Sequence, residues 1–383
     1  MGKQVAITGS HGFIGKNITA YLQAQGEIDK VISIDRTKST EEIANDLYGV
    51  DALIHLAGVN RPEDETEFIT GNVEYTAKII EALKLNQSKA STTNKANAEE
   101  AIDSPMVIFA SSIQAELDNP YGRSKVEAEK LWQSYSETTD SKVMIYRLPN
   151  VFGKWCKPNY NSAVATFCYN ITRGLEITVD DPNKTVQLVY IDDVMAEFFR
   201  VITGQFATEP YNFYEVPVGL LANMIYEFHE NRKKLIIPEL EADSFEKKLY
   251  STYLSYVPME DVQVELTEHK DNRGAVTELI KTPDRGQMIV NRIKPGITKG
   301  NHYHHSKNEK FIVLEGEGEI RFRKHEETEV TTVKVSGDKL TSVDIPPGYT
   351  HSIVNTGDKD MVVLMWSNEI FDPQNPDTIQ EDI

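Results

Sequence analysis

The run Thr8-Gly9-Ser-His11-Gly12-Phe13-Ile14-Gly15 constrains this chain more than any other stretch. A β-branched strand, Gln4-Val-Ala-Ile-Thr8, stops at its first glycine, and a helical pattern begins before its last. Glycines so spaced permit a tight turn, close approach of backbone to a pyrophosphate, and close packing of helix on strand. An anion placed there meets unpaired N–H groups and the positive end of the helix dipole. The turn therefore predicts a dinucleotide site made by Gly9, His11, Gly12, Phe13, Ile14 and Gly15. Further strands, Val31-Ile-Ser-Ile-Asp35, Ala52-Leu-Ile-His-Leu56, Met106-Val-Ile-Phe-Ala110 and Lys142-Val-Met-Ile-Tyr146, alternate with amphipathic stretches to about residue 200. Strands apolar on both faces and separated by helices predict an α/β, Rossmann-like, doubly wound parallel sheet.

At 383 residues the chain is long enough for two domains. After about residue 260 the texture changes to short alternating runs broken by Pro and Gly, as in Gly286-Gln-Met-Ile-Val-Asn-Arg-Ile293, Phe311-Ile-Val-Leu-Glu-Gly316, Glu319-Ile-Arg-Phe-Arg323 and Met361-Val-Val-Leu-Met-Trp366. Such runs predict an all-β antiparallel sandwich or barrel. The division expected is 1–245 and 246–383, joined by a charged, aromatic segment over 246–260 that is too sticky for a flexible linker. The polar stretch 86–104 reads as a mobile loop ahead of a core strand.

Forty Lys and Arg against 59 Asp and Glu give a net charge of −19, which argues against nucleic-acid and anionic-membrane binding. An anionic small substrate then requires a local basic site. Cys156 and Cys168 form no Cys-x-x-Cys pair, so no disulfide framework or cysteine zinc site is expected. No apolar run reaches the roughly 18 residues of a membrane span, and the N-terminus lacks the apolar stretch of a signal peptide. The expectation is a cytoplasmic protein.

Asp35 ends the second strand, twenty residues beyond Gly15, where an acid reads the ribose hydroxyls of NAD. Arg36 follows at once and offers a cation to a 2′-phosphate, so NADPH and NADH both stay open. Tyr121-Gly-Arg-Ser-Lys125 places a phenol and an ammonium on one helix face, one turn apart. A neighbouring ammonium is expected to lower the tyrosine pKa from about 10, making Tyr121 a proton donor or acceptor. Lys125 also suits the nicotinamide ribose. Ser112, at the end of a predicted strand, is placed to anchor a carbonyl oxygen.

Together these features resemble the extended short-chain dehydrogenase/reductases that act on nucleotide sugars, over roughly residues 3 to 240. His55-Leu56-Ala57-Gly58, Asn72, Arg147-Leu-Pro-Asn150-Val-Phe-Gly153 and Val189-Tyr-Ile-Asp192-Asp193 stand in the family's order. The resemblance implies Ser112, Tyr121 and Lys125 as catalytic residues and adds Leu56, Ala57 and Gly58 to the coenzyme site. Ile113 and Gln114 follow Ser112 where dehydratases of the family carry an acidic pair, so dehydration is not expected.

In the second half, His302 and His304 alternate onto one side of a strand, and Glu309 and His351 can complete a site of three imidazoles and a carboxylate. That donor set suits Zn²⁺ or another divalent metal. The stretches Gly296 to Gly316 and Pro346 to Asn355 resemble the two cupin motifs, which implies a jelly roll. Tyr303, His305, Lys310 and Tyr349 lie near the ligands in sequence as candidate bases, and Lys310 and Arg321 are candidate diphosphate contacts.

Joined, the halves are similar to the bifunctional epimerase/reductases of UDP-N-acetyl-L-fucosamine synthesis, a family of bacterial capsule biosynthesis. Stretches carrying this resemblance include His55 to Pro62, Phe152 to Asn161, Leu249 to Tyr256 and Lys294 to His302. The resemblance implies C3 epimerisation of UDP-2-acetamido-2,6-dideoxy-β-L-arabino-4-hexulose in the cupin. NADPH-dependent C4 reduction in the first domain would follow, giving UDP-2-acetamido-2,6-dideoxy-L-talose. It also implies a zinc-bearing cupin and a homodimer. The competing expectation is a single 4-ketosugar reductase whose cupin serves sugar binding or dimerisation.

Overall fold

The computed structural model describes residues 2–93, 104–207 and 211–383. They form two compact units, one of residues up to Asn223 with Ser251–Tyr256, the other of Met224–Tyr250 and Val257–Ile383.

The first unit is built on β1 (Lys3–Thr8), β2 (Ile28–Ile34), β3 (Ala52–His55), β4 (Met106–Ser112) and β5 (Val143–Leu148), parallel in the order β2-β1-β3-β4-β5. Helices α1 (Phe13–Gln23), α2 (Thr40–Asp46), α3 (Thr66–Phe68), α4 (Tyr75–Thr93), α5 (Pro120–Thr138), α6 (Ala163–Thr172) and α7 (Ile191–Ile202) connect and cover it. Successive residues of β1 face opposite layers. Val5 and Ile7 join Ile18 and Leu22 of α1 and Phe198 of α7, whereas Ala6 joins Ile79 and Leu83 of α4 and Trp132 of α5. Both faces are thus buried, which is why the strands read as unbroken apolar runs. The strand order, though not the strand direction, reverses between β1 and β3, and ligands of such sheets bind beyond the strand C-termini at that switch point. A smaller sheet, β6 (Asn150–Phe152), β7 (Thr185–Tyr190) and β8 (Tyr214–Pro217), completes the unit.

One expectation is corrected here. The stretch from Asn86 begins as helix, since α4 runs to Thr93. Asn86 is buried and donates its amide to the Ala44 carbonyl at 2.6 Å, and Gln87 reaches the Ser104 hydroxyl at 2.7 Å. These partners let polar residues continue a helix that composition alone assigns to a loop. The remainder of that expected loop, 94–103, lies outside the described residues.

Helices α8 (Val218–Lys233) and α9 (Phe245–Leu254) carry the chain between the units. The segment expected to be sticky is helical and apolar inside: Leu249 and Tyr253 are fully buried. The second unit contains β9 (Glu268–Asp271), β10 (Gly274–Thr282), β11 (Gly286–Ile293), β12 (Thr298–Tyr303), β13 (Glu309–Glu315), β14 (Glu317–Lys324), β15 (Val330–Ser336), β16 (Val343–Ile345), β17 (Tyr349–Asn355), β18 (Met361–Ser367) and β19 (Ile379–Gln380). They form two antiparallel sheets, β16-β13-β18-β11-β10-β9 and β15-β14-β17-β12-β19. Phe311, Val313 and Val363 from one sheet meet Ile320, Phe322 and Ile353 from the other. No helix among the described residues is long and apolar enough to cross a membrane.

Candidate functional site

At the end of β1, Gly9 adopts φ 71°, and its carbonyl accepts the Gly12 N–H at 3.0 Å. A Cβ on Gly15 would stand 2.1 Å from the Gly9 carbonyl oxygen, so only glycine lets α1 start there. No side chain caps α1 and its first turn holds no acid, which leaves its N–H groups for an anion. The Thr8 hydroxyl accepts the N–H groups of Leu56 and Ala57, each at 3.1 Å, tying the turn to the end of β3. His55 pins the same junction, its ring nitrogens 2.8 Å and 2.9 Å from the Thr8 and Thr76 hydroxyls. Burial pushes the His55 pKa down to about 3, so this imidazole is neutral.

Gly9, His11, Gly12, Phe13, Ile14, Gly15, Leu56 and Gly58 line one cavity of about 570 Å³ together with Ser112, Tyr121 and Lys125. Ala57 takes part through its backbone bond to Thr8. Asp35 and Arg36 stand outside that lining, exposed just past β2. The Asp35 carboxylate accepts the Thr37 N–H at 2.9 Å and its hydroxyl at 2.8 Å, which lowers its pKa. Lys38 is paired with Asp46 at 2.6 Å.

Tyr121 enters the cavity from the first turn of α5, which Asn119 caps by accepting the Gly122 N–H at 2.7 Å. Burial raises the Tyr121 pKa and the Ser112 hydroxyl partly offsets it. The expected influence of Lys125 on this phenol is not found. The Lys125 ammonium instead donates to the Ala110 carbonyl at 2.9 Å and lies 4.7 Å from the Phe109 ring centroid. Burial brings its pKa down to about 8, against the upward pull of Glu129.

Several neighbours were not picked out as functional from the sequence. Glu129 accepts from Ser111 at 2.5 Å and from Arg147 at 2.7 Å and 3.0 Å; its i+4 spacing from Lys125 was the available signal. Asn72, on a π-helical turn over Ile69–Glu74, accepts the Val59 N–H at 2.7 Å and donates to Ser124 at 2.9 Å. A Cβ on Gly58 would come within 2.8 Å of that Asn72 amide oxygen. Lys157 and Tyr160 also line this cavity, and the Lys157 ammonium and the Arg61 guanidinium lie 5.2 Å and 5.9 Å from the Tyr160 ring centroid. The Tyr160 hydroxyl donates to Asn60 at 2.9 Å.

In the second unit, β12 carries His302, His304 follows it, β13 begins at Glu309, and β17 carries His351 opposite His302. One ligand atom from each lies within 4.8 Å of all the others. Burial lowers the His302 pKa to about 4, leaving a neutral imidazole. Burial alone would raise the Glu309 pKa, but the His304 and His351 rings hold it well below the usual carboxylate range. Three imidazoles and one carboxylate converging at this spacing are a donor set that suits a divalent cation, so these residues fit a metal. Lys310 is ion-paired with Asp344, Arg321 with Glu319, and the Tyr303 ring stacks on His325. Asp377 is a further residue the sequence did not signal: its backbone carbonyl lies 2.6 Å from His304 Nδ1.

The chain belongs to the NAD dependent epimerase/dehydratase family, which it matches over residues 5–216. Residues 269–379 match the polysaccharide biosynthesis C-terminal domain. The chain is similar to UDP-2-acetamido-2,6-beta-L-arabino-hexul-4-ose reductase of Pseudomonas aeruginosa, at 42% identity over 381 residues, covering 98% of this chain and 97% of that one. Among solved structures it resembles the capsular polysaccharide assembling protein CapF from Staphylococcus aureus, with a TM-score of 0.86 and 47% identity over 99% of this chain and 100% of that one. RMD from Pseudomonas aeruginosa, complexed with NADPH, shares the fold at a TM-score of 0.51 and 18% identity, over 67% of this chain and 99% of that one.

Proposed function

We propose that this protein acts, as a homodimer, on a UDP-linked 4-keto-6-deoxy amino sugar of capsule synthesis. The second unit epimerises UDP-2-acetamido-2,6-dideoxy-β-L-arabino-4-hexulose at C3, and the first reduces C4 to give UDP-2-acetamido-2,6-dideoxy-L-talose. What carries the reading is the gathering of Ser112, Tyr121 and Lys125 with the glycine turn in one cavity. The similarity to a hexul-4-ose reductase along the whole chain supports it.

Gly9, Gly12 and Gly15 at the start of α1 would hold the pyrophosphate of NADPH, which would supply the hydride for C4. Ser112 holds the ketone oxygen. Tyr121, protonated at neutral pH because burial raises its pKa, delivers its proton to that oxygen as C4 becomes tetrahedral. Lys125, one turn along α5 and lining the same cavity, is placed to hold the nicotinamide ribose. Arg36 is the cation offered to a 2′-phosphate, and NADH is the alternative coenzyme.

Arg61 and Lys157 come from distant loops to one tyrosine ring, and among the described residues neither is paired with a carboxylate. In a chain of net charge −19 they provide the local basic site that a diphosphate needs. In the second unit, His302, His304, Glu309 and His351 would hold a divalent metal, zinc in this reading, which would supply Lewis acidity for polarising the C4 ketone. That ketone acidifies the C3–H bond, so its proton can leave and return on the opposite face.

The test is incubation with the ketosugar in deuterated buffer, first without coenzyme, then with NADPH or NADH. Deuterium entering C3 without coenzyme and nicotinamide oxidation with it are the expected results. Tyr121→Phe is expected to abolish oxidation yet keep the exchange, whereas loss of both in a folded variant would overturn separate sites. The relative's name specifies reduction alone. Oxidation without exchange would accordingly assign the second unit to sugar binding or dimerisation.

A further inference from the structure

A metal-binding imidazole needs one nitrogen's lone pair aimed at the ion and the other nitrogen's proton occupied. For His304 the second requirement is met from far along the chain. Its Nδ1 lies 2.6 Å from the Asp377 backbone carbonyl, which can only accept, so Nδ1 carries the proton. The Nε2 lone pair is thereby left facing the centre, 3.4 Å from Glu309.

The side chain of Asp377 acts on the same loop from the other end. Its carboxylate accepts the N–H groups of His305, Ser306 and Lys307 at 2.9 Å, 2.9 Å and 2.8 Å, and the Ser306 hydroxyl at 3.0 Å. Residues 305–307 make up three of the four positions between His304 and Glu309, so one carboxylate holds most of the span between two ligands. Asp377 adopts φ 36°, a left-handed conformation that non-glycine residues keep only when surrounding bonds hold them there. Just beyond it, β19 pairs with β12, setting Gln380 opposite His302 and Ile379 opposite Tyr303, and the Glu381 N–H reaches the Asn301 carbonyl at 3.0 Å.

We propose that residues 376–381 clasp the metal centre and that Asp377 is a positioning residue for it, fixing the His304 tautomer and the spacing of His304 from Glu309. The inference rests on the metal reading given above. It assigns to Asp377 no contact with substrate or metal.

The experiment is zinc affinity by competition with a chromogenic chelator, for the full-length protein, Asp377→Asn and Ser306→Ala. Asp377→Asn keeps the shape and the backbone carbonyl but replaces one acceptor oxygen with an amide donor facing N–H groups. Partners of this kind set metal affinity by about 10–100-fold, so at least a tenfold weakening is expected, with NADPH binding unchanged. Ser306→Ala removes one of the four donors and is expected to weaken zinc less than Asp377→Asn does. Melting with zinc and with excess chelator separates positioning from general stability. A smaller zinc-induced rise in Tm, on a near-normal Tm in chelator, supports the clasp. Wild-type zinc affinity in Asp377→Asn, even with a lowered Tm, would overturn it. If the wild-type protein itself binds no zinc, the metal reading falls and the clasp with it.

Discussion

Lys125 keeps its ammonium in the protein interior, against the Ala110 carbonyl and the Phe109 ring. Burial lowers its pKa to about 8, whereas the same amine in an unfolded chain titrates near 10.4. The unfolded chain therefore holds this proton more tightly. The resulting loss of stability is fully present below about pH 8 and fades as pH rises from there to about 10.4. Lys125→Met is expected to raise resistance to urea at pH 7, with the gain shrinking across that window, while C4 reduction falls by about a hundredfold or more. A gain that does not vary with pH would show that Lys125 is not the group responsible. That Ser112, Tyr121 and Lys125 come together was legible here, since Tyr121 and Lys125 share a helix and Ser112 ends the preceding strand. Their electrostatic setting was not. It depends on Phe109 and Ala110 closing over the ammonium and on Glu129 being held by Arg147, contacts that require the assembled sheet.

Among elements, the parallel strands and several antiparallel ones could be read directly, because a strand buried on both faces, or on alternate residues, leaves its pattern in the sequence. The Gly286–Ile293 strand appears with the bounds its alternation suggests. The long helix α4 was cut short in that reading because Asn86 and Gln87 look like loop residues until Ala44 and Ser104 provide their partners. The loops after β3 and β6 were likewise opaque: only the fold brings Arg61 and Lys157 to the one Tyr160 ring. Replacing both by alanine is expected to weaken UDP binding and raise the KM for the nucleotide sugar about tenfold, the scale of a charge-assisted hydrogen bond, with kcat preserved. Calorimetry with UDP and with NADPH distinguishes the alternatives. A parallel loss of NADPH affinity would reassign the pair to the coenzyme.

For the molecule as a whole, two units of different architecture carry two candidate sites, and each can be disabled separately. His302→Ala removes one of the four converging donors in the second unit. It is expected to eliminate bound metal by mass spectrometry and C3 exchange by NMR, while NADPH affinity measured by fluorescence stays unchanged. A drop in coenzyme affinity would contradict that independence. The contact between Asp377 and His304 also has a consequence in time. The two residues are separated by 73 positions, and His304 comes first. At about 5–20 residues per second, the ribosome delivers the last of the four donors, His351, about one to five seconds before Asp377. A nascent chain in that interval displays three histidines and a glutamate before the carbonyl that sets the His304 tautomer exists, so on the proposed metal reading the centre would be completed only late in biosynthesis.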